Sequence, residues 1–450
     1  MKLPDTAPDF GNLIQGLSVD RLQAIFRHAT PLPAGRYLHW DELRHRAPPE
    51  GLSRQEWWAT VMLARTPLLQ SLPLLDKNGA PFRFATPSPV LVDLHHIDRD
   101  AAGQIHTAAG EPIREDPNRY LMSSLIEEAI TSSQLEGAST TRQVAAAMLR
   151  AGRKPRDHSE TMIFNNYRAM EHLRSLKAEP LTPDRILELH RILTEDTLDN
   201  PEDAGRLRRA DAVKVVDSRD NTVLHDPPTH TELPARLKRL CAFANADETS
   251  LPFVHPVLRA ILLHFMMGYD HPFEDGNGRT ARALFYWSMA RSGYWLMEYT
   301  SISHILRRAP TRYMRAYLHT ETDGNDTTYF LLHQLNTIRR AIAALHEYLD
   351  RKVREQKETE RLLSASPALR TRFNHRQVAL LTHALRNTGE GYRVDAHQRS
   401  HNVVYQTARS DLMDLHDLGL LEKSRQGNAF VFFAPEDLRG RLAALAKHRR

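Results

Sequence analysis

Cysteine is almost missing from this chain: Cys241 is the only one in 450 residues. That excludes an internal disulfide framework and suits a reducing compartment. No apolar run reaches the roughly 20 residues that a membrane-spanning helix needs, and the opening stretch MKLPDTAPDFGNL lacks the apolar core of a secretion signal. The expected location is the cytoplasm, with no membrane partner. Neither sign of charge is in large excess. The net +5 is small over this length, and it permits contact with nucleotides or nucleic acid without demanding either. The 24 histidines are scattered, without the His/Cys/carboxylate spacings of a zinc cluster. A GxxxxGK[ST] loop and a strand–GxGxxG–helix unit are both missing, so the common nucleotide folds find no support.

What is present suffices for several cores: 41% of the residues are hydrophobic, and the length calls for two or three domains. Residues 1–95 mix proline-rich turns with short helical patterns. Within them PLLDKNGAPFRFATP reads as a hairpin or loop turning at Asn78-Gly79. From about residue 117 helical periodicity takes over, first in YLMSSLIEEAITSSQLEG, which stops on Gly137. Further helices are expected around 158–177, 182–198, 231–245 and 254–269. VKVVDSRDNTVLHDPP at 213–228 alternates β-branched and polar residues, as a hairpin inserted among helices would. A long charged helix follows Asp323-Gly324-Asn325-Asp326. Beyond residue 370, three helical patterns precede LEKSRQGNAFVFFAP, which alternates about Gln426-Gly427-Asn428. Three helices and a hairpin wing make a winged helix-turn-helix. The expected divisions are 1–95, 115–305, 306–368 and 369–437.

Residues 271–282, HPFEDGNGRTAR, carry the densest chemistry. An Asp-rich loop suggests calcium, but counting from Asp270 or Asp275 fails to place the later ligands of an EF-hand. The segment lies between two helical patterns, so Gly276-Asn277-Gly278 would form the first turn of the helix that follows. Unpaired N–H groups and the positive dipole end make such a turn an anion site, and glycines let the backbone approach phosphate oxygens. Arg279 and Arg282 stand three apart on one helix face, within reach of a polyphosphate. Asp275 supplies a hard carboxylate for Mg2+. His271 is basic enough to accept a hydroxyl proton near neutral pH. Phe273 looks like the anchor that pins the loop. Base, metal ligand, anion nest and two arginines together specify attack by an alcohol on a nucleotide phosphate.

The segment resembles the Fic family signature HxFx[D/E]GNGRxxR at every specified position. GRLRR at 205–209, the 213–228 hairpin and LLHFMMGYDHPF follow in the order of a Fic core. The outer segments also resemble the longer bacterial Fic proteins. The implied fold is mainly α: a Fic-type helical core with an inserted β-hairpin flap, a small N-terminal α/β segment and a C-terminal winged helix-turn-helix. The implied activity is transfer of AMP from ATP to a Ser, Thr or Tyr hydroxyl of a target protein, or of the chain itself. His271 would be the catalytic base and Asp275 the Mg2+ ligand, while Phe273, Gly276, Asn277, Gly278, Arg279 and Arg282 would bind ATP. The hairpin would receive the target as an added strand. Asp270 departs from the family, whose members usually carry an aliphatic residue before the motif histidine.

SSQLEG at 132–137 matches the family's inhibitory motif [S/T]xxxE[G/N] through Ser132, Glu136 and Gly137. A glutamate beside a helix C-terminus is slightly unfavourable, so a cationic partner is expected. The resemblance implies that Glu136 pairs with Arg282 and diverts it from the γ-phosphate. In the winged helix, Tyr405, Gln406 and Arg409 suit a major groove and Lys423 and Arg425 suit phosphates. Asp411, Asp414 and Asp417 on the same helix oppose DNA. DNA and protein contact both stay open, as does a homodimer. Two further functions remain: a DNA-binding regulator whose Fic core senses nucleotide, and AMP removal or transfer of another phosphate group.

Overall fold

Helices dominate the described residues, as the 3.6-residue periodicity of the sequence demands. The computed structural model describes residues 2–102, 117–217, 219–364, 372–385, 387, 390–426 and 429–447. The expected wing turn at Gly427-Asn428 lies outside them, as do the segment ends at 115–116 and 365–371. No helix among the described residues is long and apolar enough to cross a membrane.

A hairpin opens the part of the chain that frames the site: β1 (Gln70–Leu75) and β2 (Pro81–Phe84) pair antiparallel. Gly79 takes the positive φ of 83° that its turn needs. After a helix at Ser88–Ala101 come α1 (Pro117–Leu135), α2 (Arg142–Ala151), α3 (His158–Ser175) and α4 (Pro183–Thr194). Their ends are written locally. Asp157 caps α3 and Thr182 caps α4, with Pro183 at the first position, and Gly152 ends α2 in the left-handed conformation. Next come two short antiparallel strands within the 213–228 segment, β3 (Val215–Val216) and β4 (Val223–His225).

The central helices are α5 (Leu233–Asn245), α6 (Pro256–Asp270) and α7 (Asn277–Arg291). The stretch VLRAILLHFMMGY of α6 is apolar on nearly every side, which leaves it no solvent face and sends it to the middle of the domain. It packs against α5, α7 and the 37-residue helix α8 (Thr328–Ser364). The resulting core runs from Leu72 on β1 to Leu349 on α8. A second, smaller cluster under the N-terminal helices holds Leu38, Leu43, Trp57, Trp58 and Val61.

The second DGN, at 323–325, does something other than cap α8. Asp326 provides the cap, its Oδ1 accepting from the Thr328 N–H at 2.9 Å. Gly324 and Asn325, at φ 55° and 62°, dock the first hairpin instead. The Asn325 carbonyl accepts from the Arg83 N–H at 2.9 Å, and Asn325 Nδ2 donates to Asp76 Oδ2 at 2.9 Å.

Beyond α8 a separate core forms around Leu381, Leu412, Leu415, Leu420 and Phe432. It joins α9 (His375–Ala384), β5 (Gly391–Arg393), α10 (Val394–His401), α11 (Tyr405–Asp417), β6 (Glu422–Gln426) and β7 (Ala429–Phe433). The strands form an antiparallel sheet in the order β5-β7-β6. One expectation fails here. Asp411 is no surface charge on α11: it is buried, with Arg376 donating at 2.6 Å and His397 Nε2 at 3.1 Å. A carboxylate enters a core only when its lone pairs are engaged. α10 lies against α1 and α2, and Arg399 Nη2 donates to the Arg150 carbonyl at 2.6 Å, at the end of α2 where carbonyls lack helical partners.

Candidate active site

The site begins where α6 stops. His271 sits in the left-handed region at φ 44° and ψ 56°, its N–H donating to the Met267 carbonyl at 3.2 Å. Its ring Nδ1 lies 3.1 Å from the Gly268 carbonyl. A carbonyl can only accept, so Nδ1 carries the hydrogen and Nε2 keeps the basic lone pair. Burial pushes the imidazole below the ordinary histidine range, which favours the neutral ring.

Asp270, the unusual neighbour, faces away from this chemistry. Its carboxylate is buried and lies 2.8 Å from both Nε and Nη2 of Arg236 on α5. Burial raises its pKa to about 6, although Arg236 works against the rise. Arg236 also donates to the Asp76 carbonyl at 3.1 Å and the Leu75 carbonyl at 2.5 Å. The pair therefore ties the end of α6 to α5 and β1.

Five of the six carbonyls in the loop from His271 to Gly276 are held by buried groups. Arg208 takes two of them, Nε donating to the His271 carbonyl at 3.0 Å and its N–H to that of Pro272 at 2.9 Å. Asn277 braces Phe273 twice, donating from Nδ2 to its carbonyl at 2.8 Å and accepting its N–H at 2.9 Å. His190 on α4 takes the Asp275 carbonyl at 2.8 Å, and the Gly276 carbonyl receives the Thr280 N–H and hydroxyl. Phe273 is fully buried against the His190 ring, 3.7 Å between centroids and 5° from parallel. Gly276 needs its missing side chain: φ is 83°, and a Cβ would meet Thr194 Cγ2 at 2.7 Å. The first turn of α7 carries N–H groups without intrahelical partners, as an anion site requires.

The two arginines share a helix face but part company. Arg279 is fully buried, Nη1 donating to the Leu193 carbonyl at 2.9 Å and Nη2 to Asp275 Oδ2 at 3.0 Å. Burial pulls its pKa down. Spacing alone put both guanidinium groups within reach of a polyphosphate; Arg279 turns to α4 because the Leu193 carbonyl at the end of that helix is open to a donor. Arg282 points to α1. Its Nε donates to Ser132 Oγ at 2.8 Å, and its Nη2 to the Ser132 carbonyl at 3.0 Å and to Glu136 Oε1 at 2.7 Å. Burial alone would lower Arg282, yet beside Glu136 it stands above the ordinary arginine range. Gly137 ends the turn at φ 95°. The Glu136 carboxylate reaches into the mouth of α7: a Cβ on Gly278 would stand 2.1 Å from its Oε1.

Among the described residues no group of three or more His, Cys, Asp or Glu could hold a metal by itself. The Asp275 side chain is 55% exposed, which fits Mg2+, a cation bound by one or two carboxylates with waters and substrate phosphates. Sequence reasoning missed His190, Arg208 and Arg236. Arg208 lay inside the noted GRLRR stretch without a role, and nothing local to His190 or Arg236 marks either.

Residues 180–289 match the family model described as Fic/DOC family. The chain carries a Fic domain. Among curated relatives, "Protein adenylyltransferase Fic" of Culex quinquefasciatus is 26% identical over 199 residues, 44% of this chain and 37% of its own length. The protein of that name from Drosophila virilis is 30% identical over 201 residues, 44% of this chain and 38% of its own length. This chain thus spans well under half of the relatives it matches. Among solved structures, a Fic family protein from Desulfovibrio desulfuricans G20 is 17% identical, with a TM-score of 0.48, over 77% of this chain and 96% of its own.

Proposed function

We propose that the chain is a protein adenylyltransferase restrained by Glu136. One observation carries the reading: the basic Nε2 of His271 and the open first turn of α7 border one site, and a carboxylate of the same chain, Glu136, occupies its mouth. ATP lays its phosphates on the amides of Gly276, Asn277 and Gly278, which are aimed and need no reorganisation. His271 Nε2 takes the proton of the target hydroxyl. That oxygen bonds to the α-phosphorus as the bond to the β-phosphate bridge breaks, and pyrophosphate leaves. Asp275 would hold Mg2+, which supplies charge neutralisation across the phosphates. Arg279 steadies the Asp275 carboxylate from behind, and Arg282 serves the distal phosphate once Glu136 withdraws. The β3–β4 pair is the flap on which an extended target segment adds as a strand.

Mass spectrometry of protein incubated with ATP and Mg2+ tests this. Glu136→Gly should raise AMP incorporation at least tenfold over wild type, and His271→Ala should abolish it. Equal incorporation by wild type and Glu136→Gly would remove the brake, and a phosphate or phosphocholine mass in place of AMP would change the reaction. We divide the chain into an N-terminal module, the Fic core with its inhibitory helix, a helical connector and a winged helix. The exposed Val404, Tyr405 and Phe430 of the last suit a protein partner better than DNA.

A further inference from the structure

The loop that would carry the phosphates is polar in a directional sense: it serves an anion only while its carbonyls point one way and its amides the other. Most of these carbonyls are held by groups that belong to the loop or lie beside it, Asn277, Thr280 and Arg208. The exception is Asp275, whose carbonyl precedes the N-cap Gly276, and its partner comes from α4. The His190 ring is wholly buried there. The Gly205 N–H donates to Nδ1 at 3.0 Å, so Nδ1 must be the unprotonated nitrogen. Nε2 then carries the only ring hydrogen and donates it to the Asp275 carbonyl at 2.8 Å. The ring also lies flat on Phe273, and its Nε2 would stand 3.2 Å from a Cβ on Gly276. One imidazole in one tautomer thus touches Phe273 and Asp275, crowds Gly276, and links them to the 205–208 turn that holds the front of the loop.

Resting on the adenylyl-transfer reading, we propose that His190 is the positioning residue of the anion loop: it holds the Asp275 carbonyl on the core side so that the amides after it face the α- and β-phosphates. It touches neither substrate nor metal. Without it the Asp275 peptide is free to turn, and a carbonyl oxygen would face the phosphate where an amide belongs. The Asp275 carboxylate moves with that peptide, so aim and affinity fall together.

The test compares Glu136→Gly with Glu136→Gly/His190→Phe and Glu136→Gly/His190→Gln. It measures ATP affinity by calorimetry, AMP transfer as kcat and KM, and melting temperature. His190→Phe preserves the stacking on Phe273 but offers no donor. It should weaken ATP binding roughly tenfold to a hundredfold, the range of one hydrogen bond to a charged group, and lower kcat as well. His190→Gln still offers an amide donor to the Asp275 carbonyl and should recover most of the affinity. Unchanged ATP affinity and kcat in the folded His190→Phe protein overturns the proposal. So does a glutamine variant no better than phenylalanine at equal melting temperature. If His190→Phe fails to fold, His190→Gln decides: affinity within threefold of the parent supports the proposal and a tenfold loss overturns it. A Glu136→Gly parent that transfers no AMP overturns the adenylyl-transfer reading itself and is recognised before any His190 variant is read.

Discussion

At position 270 a buried carboxylate stands immediately before the motif histidine, and among the described residues it forms a salt bridge with Arg236. Removing one member of a buried pair leaves the other charge uncompensated, a loss of about 3–5 kcal/mol. Arg236→Ala should therefore lower the melting temperature sharply at pH 8. The folded protein holds the Asp270 proton more tightly than the unfolded chain, at about 6 against 3.8. The contribution of that proton to stability is complete below about 3.8 and is lost as pH rises through about 6. In Arg236→Ala the loss should shrink as pH falls toward 5, because a neutral Asp270 needs no cation. A penalty independent of pH would exclude this account. The same residue marks how far sequence reasoning reaches. Asp270 was visible as a departure because a motif gave it a neighbour to depart from. Arg236 was invisible, because its link to Asp270 crosses 34 residues of chain. His271, Asp275 and Gly276 were legible for the opposite reason: twelve consecutive residues carry them. The Glu136–Arg282 pair spans 146 residues, and only the family's inhibitory motif joined its members beforehand.

Among the elements, a helix end was legible where its stop signal is local: Gly137, read as the stop of its helix, lies just past Leu135 at φ 95°. The helix Arg142–Ala151, which Gly152 ends in the left-handed conformation, went unread. Docking was not legible. The DGN at 323–325 has the composition of a cap, yet its work is to receive a hairpin some 240 residues earlier, which no local pattern states. Asp411 was misread for a related reason: its helical phase does not reveal that Arg376 and His397 converge on it. With that charge withdrawn from the face, Val404 and Tyr405 define the start of α11, 66% and 53% exposed. The purified protein should give no mobility shift with DNA fragments at low salt. A shift that weakens steeply with added salt would return the unit to the DNA readers.

For the molecule as a whole, several histidines are folded in their neutral form. Burial, aided by neighbouring cations, pulls His264 to about 3 and His319 and His333 to about 4. His39, buried and stacked on His319 at 4.2 Å, goes to about 2. Folded values below the unfolded one mean that their stabilisation is complete above about pH 6.5 and is lost as pH falls toward 4. Each histidine that the unfolded chain protonates and the folded chain does not adds about 1.4 kcal/mol per pH unit to the slope. Thermal melts from pH 8 to pH 4 should show a steep fall in melting temperature beginning near pH 6.5, and a flat profile would contradict it.

The carboxylate seated over Gly278 has a consequence at this scale as well. It is carried on the chain it faces, so its effective concentration at the mouth of α7 is fixed by geometry and stays the same at any dilution. A freely diffusing inhibitor is relieved by washing or by scarcity; as the brake proposed above, Glu136 would be present at one copy per site at all times. Release of that brake would require that the end of α1 be moved or that another anion compete with Glu136 for Arg282. α1 is also where α10 of the C-terminal unit rests.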